Sequence, residues 1–340
     1  MPRLIPVMVF SVGLVLATGA RAGLVAYYPL DGDTDDASGN ANDATNVFGG
    51  GFIDDVPPQI GGGMAFEMFG TVGMMNAGFQ VDDDPTLDIA DALTISAWVN
   101  MTDVNTFYFI AAKAPSGTAN INFPGNYEFR IEQATGNLQF LHQTSEGNTF
   151  SSYTATAAVT PFEWNHVAVT AVAGGNVAFF VDGAQAGTFA QSGNFGVTND
   201  NPLLVGTRAD SHSSFNGWMD DLSIWDEALG VGKIGALAGG GDPLNLPDFN
   251  PADINLDSMV DMIDYMTLRD NFGTGTTFAE GDIDGNGIVN GADFRILKNN
   301  FGVGGAPAGV PEPGALALLW VGAGTLLFGK RRRRVIVVVS

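Results

Sequence analysis

The sequence predicts two architectures in tandem: an all-β jelly-roll sandwich over residues 23–237 and a small all-α unit over residues 250–303. Three observations predict them. Short segments alternate apolar and polar residues between turn signals over the first 230 or so positions. Two twelve-residue acidic loops follow, 29 positions apart. Behind each loop comes one apolar stripe at helical spacing.

The sandwich rests on period-2 patterning. Segments 93–99, 127–131, 138–141, 166–170, 177–181 and 218–225 alternate as half-buried strands do. Val181-Asp182-Gly183 places a turn at a strand end. The 46 Gly and 24 Phe suit a β-rich fold with many tight turns. No long segment of period 3.6 interrupts, so an antiparallel two-sheet jelly roll fits best. Trp98, Trp218 and Trp225 lie inside strand patterns, where core packing is the expected role.

These pieces, taken in order, resemble the LamG-like family of concanavalin A-type folds. The matching stretches are Gly23–Gly32, Asp36–Asn40, Leu93–Val99, Trp164–Thr170, Val181–Gly183 and Gly217–Trp225, within residues 23–232. The resemblance implies binding of a glycan or an extracellular or envelope protein. It also implies a calcium ion clamping the sandwich edge, with Asp31, Asp36, Asn40 and Asp220 as candidate ligands. The alternative at 31–40 is a polar turn rich in good turn formers.

The helical unit begins with the loops 253–264 and 282–293. Oxygen side chains fall at loop positions 1, 3, 5, 9 and 12 in both. That spacing wraps a short loop around one hard cation, with a backbone carbonyl from position 7. Tyr265, Leu268 and Phe272, and then Phe294, Leu297 and Phe301, make two stripes expected to face each other. Gly273 and Gly302 stand where left-handed caps are needed. A unit of about 55 residues has little core and needs a staple, and with no cysteine in the chain two calcium ions would supply it.

This duplicated loop-helix resembles the type I dockerin domain of cellulosome-type assemblies. The resemblance implies Asp253, Asn255, Asp257, Asp261 and Asp264 as ligands in the first loop, with the carbonyl of Met259. In the second it implies Asp282, Asp284, Asn286, Asn290 and Asp293, with the carbonyl of Ile288. It further implies a cohesin-like partner. Ser258 departs from the glycine usual at position 6. Met262-Ile263 and Gly291-Ala292 stand where dockerins often carry a small hydroxyl pair, so the repeats differ as recognition faces.

Both ends read as addresses. Arg3, the apolar stretch 4–16 and Ala20-Arg21-Ala22 make a secretory signal over 1–22, with Ala20 and Ala22 framing the cleavage site. At the other end, Pro311-Glu312-Pro313, an apolar run 314–329 and the cluster 330–334 resemble the PEP-CTERM sorting signal. That resemblance implies an exosortase-type processing enzyme and membrane contact through 314–340 before processing. The alternative is a plain membrane anchor; either reading puts the protein in the cell envelope, at the outer surface or in the matrix. Segments 238–249 and 304–313 are expected as linkers, the first flexible.

The formal net charge is −23, with 14 Lys and Arg against 37 Asp and Glu. Seven of the basic residues lie in the two end signals, so residues 23–313 carry about −30. Such a charge excludes nucleic acid as a partner, because phosphates need Lys and Arg. Zero cysteine excludes disulfides, zinc–thiolate sites and thiol nucleophiles.

No catalytic residue is assigned. A retaining glycosidase needs two carboxylates about 5 Å apart. The Glu-x-Asp-x-Glu triplet of laminarinase-like enzymes does not occur. Glu128 and Glu132 share a strand face but read as a solvent-facing pair. His142, His166 and His212 show no metal spacing, and a packed role is expected for His166. The loops 107–124 and 194–215 are the expected ligand edge. The composite expectation is an exported, non-catalytic, calcium-binding envelope protein. The alternative is a polysaccharide-degrading hydrolase of the same fold.

Overall fold

The alternating segments pair into two stacked antiparallel sheets, and the alternation decides which side chains meet between them. The computed structural model describes residues 23–69, 77–114, 125–144, 149–192, 197–208, 214–247, 249–255, 257, 259–285 and 287–302. The leader with Ala20 and Ala22, His212, Ser258, Asn286, the motif Pro311, Glu312 and Pro313, and the tail 314–340 lie outside the described residues.

In chain order the strands are β1 Leu24–Tyr28, β2 Ala44–Gly49, β3 Gly51–Ile53, β4 Ala65–Phe69, β5 Gly78–Val81, β6 Ala92–Met101, β7 Tyr108–Lys113 and β8 Tyr127–Ile131. Then come β9 Asn137–Gln143, β10 Phe150–Ala158, β11 Asn165–Val172, β12 Asn176–Val181, β13 Ala184–Ala190, β14 Leu203–Val205 and β15 Asn216–Trp225. Three helices follow: α1 Val231–Ala238, α2 Met262–Asp270 and α3 Gly291–Asn300. The first sheet runs β13-β12-β11-β6-β15-β4-β3, with β1 also paired to β15. The second runs β10-β9-β8-β7-β14-β5-β2. The all-β sandwich followed by a small helical unit is the architecture the sequence predicts.

Between the sheets, Leu93, Ile95, Ala97 and Val99 of β6 and Val167 and Val169 of β11 share one core with Phe129, Phe140 and Phe79 of the second sheet. Tyr28 meets Phe79 edge-on at 5.1 Å, and Phe66 meets it at 6.1 Å. Each such buried side chain contributes roughly 1.5–3 kcal/mol over its exposed state. Gly217 of β15 lies so close to β6 that a Cβ there would come within 2.0 Å of the Asn100 carbonyl oxygen. Its φ of 149° also favours glycine.

The outer face of the first sheet is not the solvated face that alternation alone predicts. Ser96, Trp98 and His166 point outward from the core yet are buried. The cause is a second apolar cluster on that face. Ala168 and Phe180 of the sheet pack with Leu229, Ile234, Leu237 and Leu246. The segment expected as a flexible linker therefore belongs to the packed body. Pro243 and Leu246 are buried. Gly240 approaches Gln59, where a Cβ would come within 2.3 Å of the carbonyl oxygen. Its apolar residues hold it down despite the three glycines 239–241 that suggest a spacer.

The helical unit builds its own small core from Ala252, Ile254, Val260, Leu268, Val289 and Leu297. Backbone ties lock the repeats together: Gly273 N–H donates to Val289 O, Val289 N–H to Gly275 O and Gly302 N–H to Val260 O, each at 2.8 Å. The stripes face each other only in part. Tyr265 and Phe294 meet at 6.2 Å, and Leu268 and Leu297 are buried. Phe272 and Phe301, in contrast, are about half exposed. The helices stop at Asp270 and Asn300, so the helical period ends before it can turn these two rings inward. Gly273 and Gly302 take left-handed conformations, with φ of 80° and 79°. Among the described residues no helix is long and apolar enough to cross a membrane.

Candidate functional site

The two acidic loops fold in the same way because their last positions do double duty. Asp261 caps α2 by accepting from Ile263 N–H at 2.7 Å, and Asp264 Oδ2 accepts from Asp261 N–H at 2.8 Å. Asp264 Oδ1 takes the N–H groups of Ile254 and Asn255 at 2.7 and 3.2 Å. In the second loop Asn290 caps α3 through Ala292 N–H at 2.8 Å. Asp293 receives Asn290 N–H at 2.8 Å and the N–H groups of Ile283 and Asp284 at 2.8 and 3.1 Å. Position 12 therefore closes each loop onto its own start.

The consequence is a set of carboxylates inside the module. Asp253, Asp264, Asp282 and Asp293 are buried. Ligand oxygens of Asp282, Asp284 and Asp293 lie within 4.8 Å of one another. Three hard oxygens converging in this way fit calcium, which takes oxygen ligands at 2.3–2.6 Å. In the first loop Asn255 and Asp257 are exposed and tied to each other, Asn255 Nδ2 donating to Asp257 Oδ2 at 2.8 Å. Met259 and Ile288, the position-7 residues, expose their side chains. Ile288 O accepts from Asn290 Nδ2 at 3.0 Å. Outside the loops, Met262, Ile263 and Met266 of α2 are exposed apolar side chains, whereas the equivalent positions of α3 carry Gly291, Ala292 and Arg295.

The four residues considered for a sandwich ion fall into two groups. Asp36 and Asn40 are engaged locally. Asp36 accepts from Tyr27 N–H, Ser38 N–H and Asn42 N–H at 2.8–3.0 Å. Asn40 donates to the carbonyls of Leu24 and Val25, both at 2.9 Å. These bonds knit the 31–43 loop to β1. Asp31 and Asp220 stand elsewhere, with a third carboxylate, Asp221, that sequence reasoning missed. Asp31 Oδ1 accepts from Met64 N–H at 2.7 Å. Burial pushes the Asp220 carboxyl up to about 8, and the charges of Asp221 and Asp31 add to it. Burial pushes Asp221 up to about 6, helped by the charges of Asp31 and Asp242 and opposed by the Tyr27 hydroxyl, which donates at 2.5 Å. Asp221 sits at a bulge of β15 with a left-handed φ of 47°. The only sequence signal for it was the Asp220-Asp221 pair itself.

The outer face of the second sheet carries a charged niche. Glu128, expected to face solvent, is fully buried because two arginines fold over it. Arg130 binds Glu128 Oε1 at 2.6 Å, and Arg208 approaches Oε2 at 3.4 Å. Arg130 also donates to Gln139 Oε1 at 2.7 Å and stacks over Phe107 at 4.4 Å. Arg208 lies 5.9 Å from the Phe109 ring centroid. Burial lowers the Arg130 pKa, and the neighbouring Arg208 adds to that effect. Glu132 accepts from Thr135 Oγ1 at 2.9 Å, and its charge reaches Arg130. The expected ligand loops 107–124 and 194–215 thus contribute Phe107, Phe109 and Arg208 to one face. The Glu-x-Arg alternation in β8 is the signal that could have found it.

His166 is a packed histidine, as expected. Its Nε2 shares a 2.8 Å hydrogen bond with Ser96 Oγ, and its ring meets Trp98 edge-on at 5.4 Å. Both partners of this Ser–His pair are buried, so no substrate can reach it. Trp98 and Trp225 are buried, whereas Trp218 is half-buried against the exposed Phe69 ring at 5.6 Å.

Comparisons with known proteins agree with this division. A family model described as concanavalin A-like lectin/glucanases superfamily matches residues 73–235. A model described as dockerin type I domain matches residues 251–302. No curated protein matches the chain. Among solved structures, the binding domain of Paraclostridial Mosquitocidal Protein 1 is 15% identical with a TM-score of 0.49, covering 64% of this chain and 52% of that one. Domain 4 of AbnA, an extracellular arabinanase from Geobacillus stearothermophilus solved with arabinotriose, is 20% identical with a TM-score of 0.47, covering 64% and 98%. The chain spans about half the length of the first of these. With two family models falling on the two structural units, the chain carries a concanavalin A-like domain followed by a type I dockerin domain.

Proposed function

We propose that the chain is an exported, calcium-binding, non-catalytic envelope protein that holds a glycan or protein on its sandwich and assembles through its dockerin module. One observation carries the reading. Asp282, Asp284 and Asp293 converge in the second loop, and the first loop repeats the fold around buried Asp253 and Asp264. Type I dockerin domains bind calcium. The proposed ligand sets are those of the two loops as read from the sequence, Asn286 included. Calcium binding by this module would release the repulsion among buried carboxylates, so metal affinity and folding become one free energy.

A dockerin implies a cohesin-type partner. Export and processing of the C-terminal signal by an exosortase-type enzyme complete the proposal and place the protein outside the cytoplasm. On the sandwich, Phe107 and Arg130, half-buried above Phe109 and Arg208, form the proposed ligand face, since a ring beside a fixed donor suits glycan hydroxyls. Non-catalysis is supported by the burial of Glu128 beneath two arginines, which leaves a substrate no approach to its carboxylate.

Calorimetry of the full chain tests the core of this reading: calcium should bind with heat at two sites, and Asp264→Asn and Asp293→Asn should each remove one. No heat of calcium uptake by the wild-type chain would overturn it. On the sandwich, Asp220→Asn should raise the melting temperature, because it removes a buried carboxyl beside the charges of Asp221 and Asp31. Release of reducing sugar from polysaccharides, lost in a single Asp or Glu variant, would overturn non-catalysis.

A further inference from the structure

The helical module does not hang free of the sandwich. A cavity of about 350 Å³ lies between them. On the sandwich side it is lined by Asn176, Phe180 and the start of α1, and on the other side by Phe278, Asp282 and Asp284. Across its edge Asn176 Nδ2 of β12 donates to the carbonyl oxygen of Gly285 at 2.9 Å. Gly285 is the fourth residue of the second acidic loop, directly after Asp284, and it takes a left-handed φ of 69°. A second contact pins the start of the module. Phe249 packs on Gly232 of α1 so closely that a Cβ there would come within 2.7 Å of the ring. No described residue of the first loop lines the cavity; its tie there is indirect, Asp253 N–H donating to the carbonyl oxygen of the lining residue Asn250 at 3.0 Å.

From this asymmetry we infer that the second loop is an interdomain latch. The ion it holds fixes the Gly285 carbonyl in the position that Asn176 reads, so loading this loop locks the module onto the outer face of the first sheet. The first loop closes its own module and donates no hydrogen bond to the Asn176–Gly285 contact. Coupling of this kind is reciprocal: if calcium strengthens docking, docking strengthens calcium binding by the same factor. A neutral hydrogen bond of ordinary net strength corresponds to about threefold to tenfold in an equilibrium constant. The inference rests on the proposed calcium sites and adds their unequal roles.

The test is a calcium titration of the full chain against Asn176→Ala, read by calorimetry. Asn176 lies at a strand start and is only half-buried, so the variant keeps the sandwich fold, which circular dichroism checks. One of two sites should weaken about threefold to tenfold while the other is unchanged. Hydrogen exchange supplies a second readout. Calcium should slow exchange at 176–180 and 239–249 in the wild-type chain and do so much less in the variant. Two unchanged affinities, or equal exchange with and without calcium, would overturn the latch. Absence of any calcium binding by the wild-type chain would instead overturn the proposed function itself.

Discussion

His166 sits under α1 with its Nε2 on Ser96, and burial pulls its imidazole down to about 3. The unfolded value is about 6.5. A histidine depressed in the fold binds fewer protons folded than unfolded. Its contribution to stability is complete above pH 6.5 and drains away as pH falls towards 3, by up to about 1.4 kcal/mol per pH unit. Burial lowers His142 too, adding to the same slope. Urea midpoints between pH 4.5 and 7.5 should fall on the acid side, and His166→Gln should flatten that fall. Glu128 is the other residue with a large expected effect. Removing one member of a buried ion pair leaves the others uncompensated, so Glu128→Ala should cost about 3–5 kcal/mol in a denaturant titration. Only one of these two roles was legible in the sequence. A histidine inside a strand reads as packed, but a glutamate in an alternating strand reads as solvated. Its arginine partners come from two different parts of the chain.

At the scale of elements, β6 and β15 depend on Gly217. A Cβ there would strike the Asn100 carbonyl, and the left-handed φ adds strain to any other residue. Gly217→Ala should therefore destabilise the sandwich by roughly 2 kcal/mol or more, measured by thermal melting. The acidic loops were the most legible elements. Their spacing marked the loops, and the structure adds a second role: the residues at positions 9 and 12 also form the capping boxes of α2 and α3. The ends of the apolar stripes were less legible. Phe272 and Phe301 continue the sequence period after the helical backbone has stopped, and a linear pattern does not mark that stop.

For the whole molecule, alternation along strands was enough to give two sheets and their shared core. It could not show which outer face would be covered. That depends on Leu229, Ile234, Leu237 and Leu246, which lie after the last strand and read as the tail of the domain. The glycines at 239–241 suggested freedom, and burial of Pro243 and Leu246 overrides them. If the latch holds, heating the full chain in EDTA should show the helical module melting apart from the sandwich. Saturating calcium should bring the two transitions together, and differential scanning calorimetry separates the cases.

The covering of the first sheet has a further effect on how the protein can be used. Helix α1 and the dockerin module occupy one flank, while the half-buried Arg130 and Phe107 lie on the opposite flank. On the proposed function, a scaffold that docks on the helical module would approach from behind and cast no shadow over the face carrying Arg130 and Phe107.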